Sequence, residues 1–262
     1  MKWTSLFLLV ILSLLAAISV VNAAELYSSN WDKGVVVVLY GSQYGTGWWV
    51  SKQHLVTAAH VVSYRTNAKV TLIHGDYQAI GFVVYVDSLH DVAVIKAEKS
   101  PAYQYIWSLS AKDPEKGQTI FVVGYPFELY KIVGDIGIMS ANPRVAEGII
   151  AWVYPDKQLF EFQAATDAGN SGGPIVDNSG NVVGLVSFAL TGEAATMYYG
   201  TSVSAIKTAL QKAGVNYKVG LSSLITSPNS SLSNQVLIAA VGGGVSALVS
   251  TIIVLSVRGR RG

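Results

Sequence analysis

From Gly34 to Thr201 the chain is written in short runs of β-branched and aromatic residues, each broken by glycine or a polar turn. A first set covers Val35–Tyr40, Gly47–Val50, Lys69–Ile73, Gly81–Val86 and Val92–Lys96. A second covers Thr119–Val123, Ile136–Ser140, Glu147–Val153, Leu159–Ala164, Ile175–Val176, Val182–Phe188 and Tyr198–Thr201. Runs of this length and spacing are strands of an all-β body. The two sets part near Ser110–Lys116, where Asp113-Pro114 and Gly117 mark a linker. The expectation is therefore two six-stranded antiparallel β-barrels, over about 34–110 and about 117–202.

A single helix over 203–214 should follow the second barrel, because Ile206, Ala209, Leu210 and Ala213 share a helical face. Ser202 or Ser204 could cap its start and Gly214 end it. The chain has no cysteine, so this body must stand on its core alone; about 200 residues suffice for one. Four histidines, His54, His60, His74 and His90, show no metal-binding spacing, and no metal or other cofactor is expected.

Both ends read as membrane addresses. Lys2, the apolar run Leu6–Val21 and the small-residue end Val21-Asn-Ala23 make residues 1–23 a signal peptide. Residues 24–220 form the folded domain, and residues 221–235 a Ser-rich spacer, too short and polar to fold, with a glycosylation sequon at Asn229-Ser-Ser231. Val236–Val257 then runs 22 residues without a charge. That matches the roughly 20 residues needed to cross about 30 Å of hydrocarbon. Residues 258–262, with Arg258, Arg260 and Arg261, would be a basic cytoplasmic tail. The expected product is a single-pass membrane protein with its domain outside the cytoplasm. Small residues at Ala239, Gly243 and Ala247 could bring two such helices together as a homo-oligomer. Of 18 basic residues, Lys2 and the three tail arginines lie in these ends, leaving 14 against 16 acidic ones. A slightly acidic body is no nucleic-acid binder.

The chemistry gathers at Thr166-Asp-Ala-Gly-Asn-Ser171-Gly-Gly-Pro174, which holds one hydroxyl between glycines in a tight turn. A serine attacks an amide only when a base takes its proton and donors await the oxyanion. Such a turn can aim the NH groups of Gly169 and Ser171 at one point, helped by Asn170. An ordinary Gly/Ser/Asn loop reads the same way, so the string needs partners. His60 follows a strand-like run and a Thr-Ala-Ala corner, and Asp91 stands at the mouth of the run Val92–Lys96. His60, Asp91 and Ser171 then supply base, orienter and nucleophile.

Thr57-Ala-Ala-His60, Asp91-Val-Ala-Val-Ile-Lys96 and Gly169-Asn-Ser-Gly-Gly-Pro174 resemble the corresponding segments of chymotrypsin-fold serine proteases. The chain is most similar to the HtrA/Deg branch, through Asn170, the lack of cysteine, and Gly124-Tyr-Pro-Phe127 followed by Gly134-Asp-Ile-Gly-Ile-Met-Ser140. The resemblance covers about Gly34 to Ala213. It implies a serine endopeptidase acting on polypeptides in protein quality control or processing. It also implies a catalytic cleft between the barrels. PDZ modules common in that branch are missing from this sequence, and the short Gly41–Gly45 hairpin leaves no room for a long regulatory loop.

By the same resemblance Ser187 lies on the strand that flanks the substrate and supports Asp91, although a plain core or edge serine reads equally well. Ala165, Phe188 and Ala189 would shape the pocket for the residue before the cleaved bond, which should be apolar because no carboxylate is nearby. Asn170 cannot supply the aspartate charge that relatives pair with a newly cut N-terminus, so no zymogen activation is expected. His90 beside Asp91 reads as a surface residue, His54 and His74 as solvated turn residues, and Asp167 as a turn stabiliser. A catalytically weak, chaperone-like or peptide-binding module on the same fold is the alternative reading.

Overall fold

The structure, a computed structural model, describes residue 28 and residues 30–192 and 196–220, all within the compact unit that ends at Gly220. The expectations for residues 1–23, 221–235, 236–257 and 258–262 lie outside the described residues. Among the described residues no helix is long and apolar enough to cross a membrane.

The first barrel closes from six antiparallel strands in the order β1-β2-β3-β6-β5-β4. These are β1 (Val35–Tyr40), β2 (Gln43–Trp49), β3 (His54–Ala58), β4 (Lys69–His74), β5 (Tyr77–Asp87) and β6 (Val92–Ala97). Closure comes from β1 pairing with β4, Val38 opposite Leu72. β3 is not among the five runs counted in the first set, although the sequence shows a strand-like run before His60: its polar start, His54, and its small end, Ala58, flank three buried residues. It supplies the sixth strand and leads directly to His60.

The second barrel is built from β8 (Thr119–Gly124), β9 (Arg144–Tyr154), β10 (Leu159–Ala164), β11 (Pro174–Asp177), β12 (Asn181–Thr191) and β13 (Thr196–Ser202), closed by β11 pairing with β12. Two further strands, β7 (Ser108–Leu109) and β14 (Lys218–Val219), extend its sheet: β7 lies parallel to β12 and β14 parallel to β7. The run Ile136–Ser140, expected as a strand, is a helix instead. Helix α1 (Phe127–Val133) ends at Gly134, with φ +72, and α2 (Ile136–Ser140) follows. The Asp135 side chain accepts from the Ile138 N–H at 2.8 Å, an N-cap. Met139 and Ser140 are buried while Ile138 is 68% exposed, a helical rather than alternating pattern.

Helix α3 (Val203–Lys212) packs on β5, β6, β12 and β13, tying the barrels together. Ser202 occupies its N-cap position without a side-chain bond; Asp113 from the linker accepts from the Ser204 N–H at 2.9 Å instead. Gly214, φ +67, ends it as expected. One apolar cluster fills barrel one and continues through Trp31, Trp107, Phe121 and Leu185 into the junction, while Ile120, Ile150, Phe160, Phe162 and Ile175 fill barrel two. At the junction Gly34 is obligatory, since a Cβ there would lie 2.3 Å from the Trp107 ring nitrogen.

Candidate active site

β3 runs into a 3-10 turn, Ala59–Val62, that presents His60. The β5–β6 connection presents Asp91 in the left-handed region, φ +55, which aspartate tolerates better than most residues. Three contacts lock the two together. The Ala59 N–H donates to the Asp91 carbonyl at 3.1 Å. The His60 backbone N–H donates to Asp91 Oδ1 at 2.9 Å, and His60 Nδ1 lies 2.8 Å from Asp91 Oδ2. A carboxylate only accepts, so in the neutral ring the proton sits on Nδ1 and the Nε2 lone pair is left available. Ser187 Oγ donates to the same Oδ2 at 2.5 Å, bringing a barrel-two strand to the pair.

Ser171 stands in the turn before β11, half-buried. Its carbonyl accepts from the Thr46 N–H at 2.9 Å, so the turn is fastened to β2 of the first barrel. Thr46 does more: its Oγ1 donates to the Gly169 carbonyl at 2.7 Å and accepts from the Tyr125 N–H at 3.1 Å. The Phe127 N–H holds the Ala168 carbonyl at 2.6 Å. Gly169 has φ +94, and a Cβ there would lie 2.3 Å from both the Tyr125 carbonyl and the Tyr44 ring. Gly172, φ +84, is equally confined against Thr46 and Thr57. Glycine is thus required at both positions for conformation and for space.

The amides of this turn divide into two kinds. The Asn170 N–H donates to the Asp167 carbonyl at 3.1 Å and the Gly172 N–H to Val186 at 2.7 Å. The N–H groups of Gly169 and Ser171 have no hydrogen-bond acceptor among the described residues. The Asn170 side chain is turned inward, 2% exposed, beside Gly124, and its Nδ2 has no partner among the described residues. Of the three residues named for the oxyanion, only Gly169 and Ser171 keep their amides free.

His60, Asp91, Ser171, Ser187, Phe188 and Ala189 line a single cleft of about 780 Å³ that also reaches Leu89, His90 and the turn Asp156–Leu159. Ala165 is exposed outside it, its carbonyl taking the Arg144 guanidinium. No hydrogen bond joins the Ser171 hydroxyl to His60 among the described residues. Beyond Val186, β12 pairs with β13 alone among the described residues, which leaves an open strand edge over Ser187–Thr191 beside the serine. Phe188 on that strand stacks on Tyr199, ring centroids 5.0 Å apart.

The other histidines have partners of their own. His90 Nδ1 lies 2.9 Å from Asp87 Oδ2, and Asp87 Oδ1 also accepts from the Leu89 and His90 N–H groups. Burial raises the Asp87 pKa, but the hydrogen bonds and charge of His90 outweigh it and the net shift is downward. His54 bonds Ser51, and His74 bonds the wholly buried Tyr125 hydroxyl at 3.2 Å; neither is simply solvated. Burial depresses the pKa of both. No three His, Asp or Glu side chains gather as a metal site among the described residues. Thr46 and Tyr44 escaped sequence reasoning, and Tyr125 and Phe127 entered it only through the Gly124-Tyr-Pro-Phe127 resemblance, since the partners that place them at the site lie far along the chain.

Two closed barrels with an Asp–His pair and a serine turn meeting at one cleft define a peptidase fold of the chymotrypsin type. Residues 45–185, more than half of the sequence, match the trypsin-like peptidase domain, and the chain belongs to that family. It is 32% identical over 149 residues to the mitochondrial serine protease HTRA2 of Bos taurus, covering 56% of this chain and 32% of that protein. It is 28% identical over 190 residues to serine protease Rv3671c of Mycobacterium tuberculosis, covering 70% of this chain and 45% of the relative. The chain therefore spans less than half the length of either. A crystal structure of the active form of the Rv3671c protease superposes with a TM-score of 0.56 at 25% identity, covering 72% of this chain and 84% of that one. The inactive form gives 0.54, also at 25% identity, covering 70% and 90%.

Proposed function

We propose that the chain is a serine endopeptidase, anchored in a membrane and working outside the cytoplasm, in which Ser171, His60 and Asp91 act as a triad. The observation that carries this reading is the 2.8 Å contact of His60 Nδ1 with Asp91, on the same cleft as Ser171. The substrate lies as an extended strand against the open edge Ser187–Thr191, with an apolar side chain before the scissile bond near Phe188 and Ala189. Ser171 Oγ bonds to the carbonyl carbon while its proton passes to His60 Nε2. The carbonyl oxygen becomes an anion held by the Gly169 and Ser171 N–H groups. Asp91 keeps the imidazole in the required tautomer and stabilises its charge.

Collapse of the intermediate breaks the C–N bond, and the His60 proton goes to the leaving amine. Water then attacks the acyl-enzyme, giving one proton to His60. Breaking the bond between the acyl carbon and Ser171 Oγ then releases the acid product, and the proton on His60 returns to Oγ. Ser187, donating to Asp91, is a positioning residue. The missing Ser171–His60 bond does not count against the reading, because such bonds are often long until substrate binds. A fixed base beside a free nucleophile favours turnover over a pure binding module.

Residues 1–23 serve as the exported signal, 24–220 as the protease domain, 221–235 as the spacer, 236–257 as the membrane helix and 258–262 as the cytoplasmic tail. Helix pairing through Ala239, Gly243 and Ala247 gives a homo-oligomer, and the substrates are unfolded or surface polypeptides, cleaved for quality control or processing. The test is casein cleavage by the full-length chain beside Ser171→Ala. Cleavage lost in the variant is expected; equal cleavage by both would place the activity elsewhere.

A further inference from the structure

We infer that the face built by α1, α2 and the β1–β2 turn docks onto a lipid surface, an inference that rests on the membrane-anchored reading above. No residue of α1 is buried. Ile132 is 79% exposed, Ile138 68%, Val133 41% and Tyr130 37%, whereas a surface helix ordinarily turns its apolar stripe inward. Tyr130 is continuous with two further rings. The rings of Tyr44, Phe127 and Tyr130 follow one another with centroids 5.8 Å apart at each step. They line a groove of about 200 Å³ with Leu39 and Ile136. The two charges on α1 cancel, Lys131 bonding Glu128 at 2.8 Å, with its ammonium 5.4 Å from the centroid of the Phe127 ring.

The sequence beyond Gly220 identifies the occupant. An uncharged spacer, 221–235, leads to the apolar segment Val236–Val257. A spacer of that length reaches at most roughly 50 Å when extended. The radius of gyration expected of such a body is about 16 Å, so the tether lets any face meet the bilayer. It also keeps the local concentration high, so a shallow contact by a few side chains is enough. Aromatic rings, aliphatic tips and a mutually neutralised Lys131–Glu128 pair suit the headgroup boundary. A second copy fits less well: a stable dimer needs about 800 Å² from each partner, and α1 is only about 10 Å long.

Because the chain lacks cysteine, single-cysteine labelling can test this in the full-length protein. Ile132→Cys and, as an exposed reference on the linker, Glu115→Cys would each carry an environment-sensitive fluorophore in phosphatidylcholine–phosphatidylglycerol vesicles. Docking predicts blue-shifted emission and several-fold stronger quenching by headgroup nitroxide lipid at Ile132→Cys than at Glu115→Cys. Equal quenching at both sites, in chains that resist carbonate washing, overturns it. Emission that follows protein density and ignores the nitroxide also overturns it, in favour of a second copy. A chain stripped off by carbonate overturns the anchored reading itself, and the docking with it.

Discussion

Barrel one brings its half of the cleft already bonded: Asp91 receives the His60 backbone, the His60 ring and Ser187, and its own carbonyl takes the Ala59 N–H. Barrel two brings Ser171 on a glycine turn whose Ala168, Gly169, Asn170 and Ser171 carbonyls are held, by Phe127, Thr46 and Gly173, while the Gly169 and Ser171 N–H groups have no acceptor among the described residues. The difference follows the chemistry. A base must keep one tautomer and one direction, so every contact that fixes it helps. Donors for a charge that appears only during reaction must stay free beforehand, so the turn fixes its carbonyls and leaves those amides open.

The largest effect should come from Ser171→Ala, which removes the nucleophile and leaves the base half intact; a fall in kcat of at least about 10⁴-fold is expected in a casein assay. Asp91→Asn tests the fixed half: loss of the required tautomer should lower kcat by roughly 10⁴-fold with KM little changed. Gly169→Ala tests the open half. Its Cβ would strike the Tyr125 carbonyl and the Tyr44 ring, displacing one oxyanion donor, and kcat should fall about 10²- to 10³-fold. Thermal melting should drop as well.

Thr46→Val strikes the join between the halves, leaving the Gly169 carbonyl and Tyr125 N–H without their partner. A stability loss of about 1–3 kcal/mol is expected from denaturant titration, with a smaller loss in kcat than at Gly169. The smallest effect concerns acid. His54 and His74, both on barrel one, have pKa values lowered by burial, so the unfolded chain binds protons more readily. Their contribution is present above about pH 6.5 and is lost as pH falls through that value toward the folded pKa. Melting temperature should therefore decline between pH 7 and 5, and His74→Gln should flatten the decline; an unchanged slope would remove His74 from the account.

What could be read from the sequence was what neighbouring residues encode. The β-branched runs Val35–Tyr40 and Val92–Lys96 and the glycines around Ser171 are local signals, and they placed two barrels and a turn. Ile136–Ser140 misled because two isoleucines spaced by two mimic a strand; the cap from Asp135 and the burial of Met139 and Ser140 decide for a helix. β7 and β14, two residues each, exist only through the strands beside them. Thr46 was invisible because its bond to Gly169 spans 123 positions. Ser187 could be suspected, but only the fold carries its hydroxyl to Asp91.

The central claim, a preassembled base acting on a free nucleophile, is tested most directly by fluorophosphonate labelling of the full-length chain, with the adduct mapped by mass spectrometry. The account predicts one adduct, on Ser171, forming at least about 10³-fold more slowly in His60→Ala. An adduct on another serine, no adduct on the folded protein, or an unchanged rate in His60→Ala would contradict it.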